Sequence, residues 1–369
     1  MHIRSIRLIN FRNYADEVFE FHPQFTALVG PNGSGKTNVL EAVHYLALTR
    51  GHHATGDGQN IRRGEEFFTL IGSWSGVEGT TAFVEVKCTY QYGRKTVSTD
   101  GKEYRRLADH IGRFPVVQIA PQDISLIWDG GEERRKYFDQ WISQIDRTYL
   151  EDLIRYQHFL KQYQALLKGI RDGVSADPDL CRLYRSEMAG PADRITAARA
   201  AFCREVEPWL KSACALIAGA GEDVGLGYRP SLDGGGAFER WTADFEQDQR
   251  SGRVSAGVHK DGYDFLLNGE EIRRFGSQGQ QKTYLVAMKL AAVQMLSAGG
   301  RPPVLLLDDI FDKMDDVRTL RLLKAVGGGA LGQVILTDAS PARTASRLGE
   351  AGISFKEIRL PRRGTTSEE

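Results

Sequence analysis

The sequence predicts an α/β fold whose parallel sheet is assembled from both ends of the chain around an inserted helical arm. Three observations carry this. Near the N-terminus a strand runs into a Gly-rich loop and a helix; near the C-terminus a continuous apolar run ends in two aspartates; between them lies a long stretch with helical but not strand-like periodicity. At 369 residues the chain can form two compact units or one head with a large insertion. The boundaries read as 1–123 for the N-terminal part of the head, 124–222 for the helical arm and 223–369 for the C-terminal part.

In chain order, alternation through Ile3, Ser5, Ile6, Arg7, Leu8 and Ile9 predicts a first strand, and 25–29 predicts a second. Residues 38–48 place Val39, Leu40, Val43, Tyr45 and Leu46 at helical spacing. From 67 to 97 short alternating runs with Gly-rich breaks predict an antiparallel region, and 114–120 one more strand. The amphipathic stretches 134–167 and 193–218 predict the helical arm, divided at Pro178 and at Gly190-Pro191. They lack the run of heptads that a long coiled coil needs. Strands are expected again at 224–228 and 263–267, loops at Gly234-Gly235-Gly236 and Gly327-Gly328-Gly329, and a frayed tail at 364–369.

Composition excludes several classes. With 41% apolar, 9% aromatic and 26% charged residues the chain is an ordinary globular mixture. Lys plus Arg equals Asp plus Glu at 48 each, so any polyanion site must be a local patch. Cys88, Cys181, Cys203 and Cys214 are far apart and form no zinc-ligand spacing, which predicts reduced structural thiols. Arginines interrupt the apolar N-terminus, and no run reaches the ~18 residues of a membrane span, so a cytosolic, non-membrane protein is expected.

Gly30-Pro31-Asn32-Gly33-Ser34-Gly35-Lys36-Thr37 fits G-x-x-x-x-G-K-[ST] in its required strand–loop–helix setting. Absent side chains let backbone N–H groups wrap phosphate oxygens, Lys36 can reach the β- and γ-phosphates, and the Thr37 hydroxyl can sit on Mg²⁺. The run Pro303-Val304-Leu305-Leu306-Leu307-Asp308-Asp309 reads as a buried parallel strand delivering carboxylates at its C-terminal edge. There Asp308 can hold Mg²⁺ and Asp309 can orient or deprotonate the attacking water. Ser277-Gln278-Gly279-Gln280-Gln281 opens a further helical pattern; Ser277 with Gln280 has capping-box spacing, and the helix start is a candidate γ-phosphate sensor. His52-His53 lacks a supporting ligand set and reads as loop surface.

Together these motifs resemble ABC-type ATPase heads of the SMC kind. Phe11-Arg12-Asn13-Tyr14, the Gly30–Thr37 loop followed by Asn38, His259-Lys260-Asp261, the Ser277 signature, and Asp308-Asp309 with Asp315-Asp316 narrow the resemblance to the bacterial RecF family of recombination mediators, from the first strand to about Asp338. The resemblance implies a slow, DNA-stimulated, Mg²⁺-dependent ATPase. In that family the signature of one subunit closes on nucleotide held by another, so ATP joins a homodimer, and RecO- and RecR-like partners help load the RecA recombinase near single-strand gaps.

The resemblance also places Arg12 near the adenine, where it can stack on the base or remain a solvated arginine. It places Gln122 at the loop that links nucleotide, metal and inserted lobe, with Gln118 as a competitor. Two departures stand out: Asp309 where ABC heads carry glutamate, and Asp338 where a switch histidine is common. The role of His259 stays open. Duplex DNA binding rests on the resemblance, since Arg62-Arg63, Arg94-Lys95, Arg105-Arg106, Arg134-Arg135-Lys136, Arg273-Arg274 and Arg362-Arg363 are short basic groups in a balanced chain. A transporter subunit, separable by membrane fractionation, and an SMC-like ATPase with a nuclease or toxin partner, separable by pull-down, share the same motifs.

Overall fold

β1 (His2–Phe11) buries Ile3, Ile6, Leu8 and Phe11 and pairs antiparallel with β2 (Tyr14–Glu20). The next strand, β3 (Phe25–Val29), is buried at every position, as a strand covered on both faces must be. It leads through the Gly-rich loop into α1 (Lys36–Leu48), which is buried along most of its length. β4 (Phe67–Ser75), β5 (Val84–Gln91), β6 (Arg94–Thr99) and β7 (Lys102–Glu103) extend the antiparallel sheet in the order β2-β1-β4-β5-β6-β7. β8 (Val116–Ile119) belongs to a different sheet. The computed structural model describes all residues except 53–55, 78–81, 176, 220, 233–234, 313, 330 and 363–369. The expectations for His53, Gly234, Arg363 and the tail 364–369 therefore lie outside the described residues.

The helical stretch comprises α2 (Ser125–Trp128), α3 (Gly131–Ile145), α4 (Arg147–Arg171) and α5 (Pro178–Ala218). Asp146 separates α3 from α4 by capping the latter, its side chain accepting from the Tyr149 N–H. No break occurs at Gly190-Pro191: α5 runs through Pro191 and Pro208. A proline costs an interior helix roughly 3 kcal/mol, and burial of Met188, Ala192, Ile195, Val206 and Leu210 offsets it. Then come β9 (Val224–Arg229), α6 (Ala237–Ala243), α7 (Phe245–Ser251), β10 (Gly262–Leu267), β11 (Glu270–Glu271) and α8 (Ile272–Phe275). The chain continues with α9 (Gln278–Ala298), β12 (Val304–Leu307), α10 (Asp316–Gly327), β13 (Val334–Asp338), α11 (Pro341–Glu350) and β14 (Lys356–Arg359).

Two compact units divide the chain. The first comprises 1–124, 212–222 and 278–369 and holds a parallel sheet in the order β14-β3-β13-β12-β8. Its strands come from both ends of the sequence. One face of that sheet, α1 and the antiparallel sheet share a core that includes Leu28, Val39, Val43, Leu70, Trp74, Leu306 and Ile335.

The second unit comprises 125–211 and 223–277. Residues 223–277, read from sequence as head, group instead with the helices. The reason is aromatic packing: Phe138 of α3 stacks on Tyr263 of β10 with centroids 4.2 Å apart. Arg199, buried in α5, pairs with Asp139 and Asp261 at 2.7 Å each and donates to Val258 O. No described helix is long and apolar enough to cross a membrane.

Candidate nucleotide-binding site

The Gly-rich loop turns sharply because three of its positions tolerate no side chain or need a left-handed backbone. A Cβ on Gly30 would lie 2.3 Å from Leu360 O, and one on Gly35 would lie 2.6 Å from both Asn13 Nδ2 and Tyr14 OH. Gly33 and Gly35 have φ of 81° and 100°. Pro31, Asn32 and Gly33 are exposed, whereas Ser34 and Lys36 are buried. Lys36 Nζ folds back to donate to Gly30 O at 2.8 Å and Pro31 O at 3.1 Å, so its ammonium waits inside the loop. The Asn38 and Val39 N–H groups donate to Gly35 O at 2.9 and 3.2 Å, and the Lys36 and Thr37 amides that open α1 ahead of them are available to an anion.

Opposite the loop, Asp308 follows directly on the last residue of β12. Thr37 Oγ1 donates to Asp308 Oδ1 at 3.0 Å, and Asp308 N–H donates to Ile119 O at 2.8 Å, which fixes the strand end. Thus a hydroxyl and a carboxylate from distant segments converge within hydrogen-bonding range. This is a hard-oxygen donor pair of the kind that holds Mg²⁺ while leaving room for phosphate and water. Asp309 follows with φ of 46°, a left-handed backbone that short Asp side chains tolerate better than longer ones. That backbone gives a local reason for aspartate in place of glutamate.

Arg12 also has a left-handed backbone, φ 52°. Its guanidinium donates to Asn60 Oδ1 and Asn38 Oδ1 at 3.0 Å each and lies 3.3 Å from Glu41 Oε1. Its edges are engaged, which leaves the planar faces for stacking. Asn38 in turn donates to Asn13 Oδ1 at 2.8 Å. Gln122 is exposed on the 3-10 turn Pro121–Ile124, while Gln118 is buried within β8. Ser277 is exposed immediately before α9, and Gly279 and Gln280 are half-buried in its first turn.

The family described as the RecF/RecN/SMC N terminal domain matches residues 2–341. A "DNA replication and repair protein RecF" from Porphyromonas gingivalis is 39% identical over 341 residues, covering 92% of each chain. One of the same description from Cytophaga hutchinsonii is 36% identical over 345 residues, covering 93% of this chain and 91% of its own. The chain belongs to the RecF family. A solved structure of the recombination mediator protein RecF with ATP, in the RecFOR pathway, is 27% identical, covers 92% of each chain and superposes with a TM-score of 0.85. RecF proteins are thereby an ATP-binding branch of the SMC-like ABC ATPases.

Several residues bonded around these motifs are invisible to motif reading. Asp338 is no stand-in for a switch histidine in its bonding: its carboxylate is buried and accepts from Arg343, from Ala339 N–H and from Thr344 Oγ1. Its neighbour Thr337 bonds Asp308 instead. His52 is not loop surface; its Nε2 lies 3.0 Å from Asp123, which also pairs with Lys289 at 3.1 Å. These partners are far apart in sequence, and no local pattern marks them. Asp315 and Asp316 serve α10: Asp315 caps it, and Asp316 pairs with Arg347.

The motif His259-Lys260-Asp261 is architectural. Asp261 accepts from Arg199, Tyr228 OH and Ser231 N–H, and His259 Nδ1 lies 2.6 Å from Tyr156 OH. Burial lowers the His259 pKa to about 4. Some basic groups are likewise occupied: Arg134 donates to Leu126 O, Ile127 O and Tyr263 O, and Lys95 donates to Thr49 O and pairs with Asp57. Arg63, Arg94, Arg105, Arg106, Arg273, Arg274 and Arg362 remain exposed. All four cysteines are free and buried.

Proposed function

We propose that this RecF-family chain is a slow, Mg²⁺-dependent, DNA-stimulated ATPase of the bacterial cytosol. ATP joins two copies on duplex DNA near single-strand gaps, where RecR- and RecO-like proteins help load the RecA recombinase. The observation that supports this reading most directly is the convergence of Lys36, Thr37 and Asp308 at the mouth of the Gly-rich loop.

In this reading Gly30, Pro31, Asn32, Gly33, Ser34, Gly35 and Lys36 form the phosphate cradle, its backbone N–H groups supplied by the residues other than Pro31, which has none and shapes the turn. Lys36 turns from its two carbonyl partners to the β- and γ-phosphates. Thr37 and Asp308 would hold Mg²⁺, with Gln122 as an outer ligand, and the ion would supply positive charge to offset that of the phosphates. Asp309 accepts a proton from the attacking water or orients it. Arg12 stacks on the base, and Asn38 fixes its guanidinium. Ser277, Gly279 and Gln280 of a second copy complete the site at the γ-phosphate, so hydrolysis removes the group that bridges the two copies.

Sedimentation with and without ATP and Mg²⁺, repeated with gapped duplex, tests the reading, with Ser277→Arg as the variant that blocks the junction. Dimerisation that requires ATP and an unobstructed Ser277, and that tightens DNA binding, supports it. A monomer indifferent to ATP and DNA overturns it.

A further inference from the structure

A buried polar chain runs through the first unit and touches both the nucleotide side and α9. Arg12 Nη2 lies 3.3 Å from Glu41 Oε1, and the same oxygen accepts the backbone N–H of His52 at 3.0 Å. The His52 ring reaches on to Asp123 Oδ1 at 3.0 Å, where Lys289 Nζ also donates at 3.1 Å. Asp123 Oδ2 takes the Ala120 N–H at 2.7 Å, which anchors the carboxylate at the end of β8. Glu41 is fully buried, and the Asp123 and Lys289 side chains are only 9% and 4% exposed. His44 lies edge-on to His52 at 5.1 Å and covers it.

Each link carries a consequence. Glu41 has its charge balanced by Arg12 and its geometry fixed by His52, so a small shift of the Arg12 guanidinium as a base stacks on its face is felt by a buried carboxylate. His52 cannot follow Glu41 without moving its ring against Asp123. Asp123 holds Lys289, which sits about 15 Å along α9 from Gly279 at 1.5 Å per residue. A rigid helix carries a shift at Lys289 to its own N-terminus.

We infer that Asp123 is a positioning residue that couples Arg12, through Glu41 and His52, to Lys289 and so sets the placement of α9 according to whether nucleotide engages Arg12. This deepens the proposed function and rests on its ATP reading. It assigns roles to Glu41, His52, Asp123 and Lys289, none of which lies in a phosphate-binding motif.

Hydrogen exchange on full-length protein, in a Ser277→Arg background that keeps subunits apart, tests it with Mg-ATP as the probe. ATP should slow exchange both in the first turn of α1 and along α9. Lys289→Met should leave the ATP Kd within about three-fold and keep the α1 protection, while the α9 response falls by about five-fold or more. Lys289→Arg should restore it. The paired Asp123→Asn/Lys289→Met variant leaves no unpaired buried charge at this link and should fold, yet still lose the α9 response. An α9 response that survives in Lys289→Met and in the paired variant overturns the coupling, as does an unresponsive α9 in a parent that binds ATP. A parent that binds no ATP removes the ATP reading itself, and the coupling with it.

Discussion

Thr337 Oγ1 donates to Asp308 Oδ1 at 2.7 Å and at the same time accepts the Asp309 N–H at 3.0 Å. One buried hydroxyl at the end of β13 therefore fixes the carboxylate of one aspartate and the main chain of the next. Thr337→Val keeps the shape and removes both bonds. We expect a loss of about 1–3 kcal/mol in denaturant unfolding. ATP turnover should drop about ten- to a hundred-fold with KM little changed. Unchanged turnover would show that Asp308 and Asp309 need no such support.

Lys36 and Asp309 should separate binding from chemistry. Lys36→Ala removes the ammonium and should weaken ATP binding by about ten- to a hundred-fold in a fluorescent-nucleotide titration. Asp309→Asn should leave that titration intact, slow hydrolysis by about a hundred-fold or more and accumulate the ATP-bound dimer in sedimentation. Normal hydrolysis by Asp309→Asn would remove its assigned role.

Restoring a histidine at 338 should not quicken the enzyme. Asp338 is fully buried and takes bonds from Arg343, Thr344 and Ala339, so Asp338→His removes the buried carboxylate that these three groups donate to. The expected result is a loss of about 2–4 kcal/mol and turnover no higher than that of the parent. Faster hydrolysis in a stably folded Asp338→His would place residue 338 at the γ-phosphate.

Stability should fall on mild acidification. Burial holds His110 at a pKa of about 4, against 6.5 when unfolded, and its Nε2 is tied to Leu46 O at 2.8 Å. Between those values the unfolded chain binds the extra proton, so stability rises with pH and is lost as pH drops below 6.5. From pH 7.5 to pH 5 this one histidine contributes a loss of about 2 kcal/mol, and His259, also near 4, contributes similarly. Urea unfolding at the two pH values checks this, with His110→Gln expected to flatten its share.

Motifs that pack within a few residues of themselves were legible in the sequence. The run 25–29, the Gly-rich loop and α1 are consecutive, and 303–309 carries its own burial pattern and its own acids, so periodicity and spacing reveal them. What sequence could not reveal depends on partners brought together by folding. Phe138 draws Tyr263 and its strand to the helices, Asp123 meets His52 and Lys289, and Arg343 occupies Asp338. Pro191 misled for the converse reason: its local signal says break, and burial along α5 overrides it.

The strand that feeds the Gly-rich loop has both of its sheet neighbours, β13 and β14, in the last tenth of the chain. At the usual pace of translation a ribosome needs roughly 15–65 s to travel from Val29 to Arg359. Until then the nucleotide loop is a tether without a sheet behind it, and Gly30 lacks the Leu360 carbonyl against which it turns. A nascent RecF-family chain that stops short of β14 would thus be unable to occupy its nucleotide site, which comes into being only once β14 has been made.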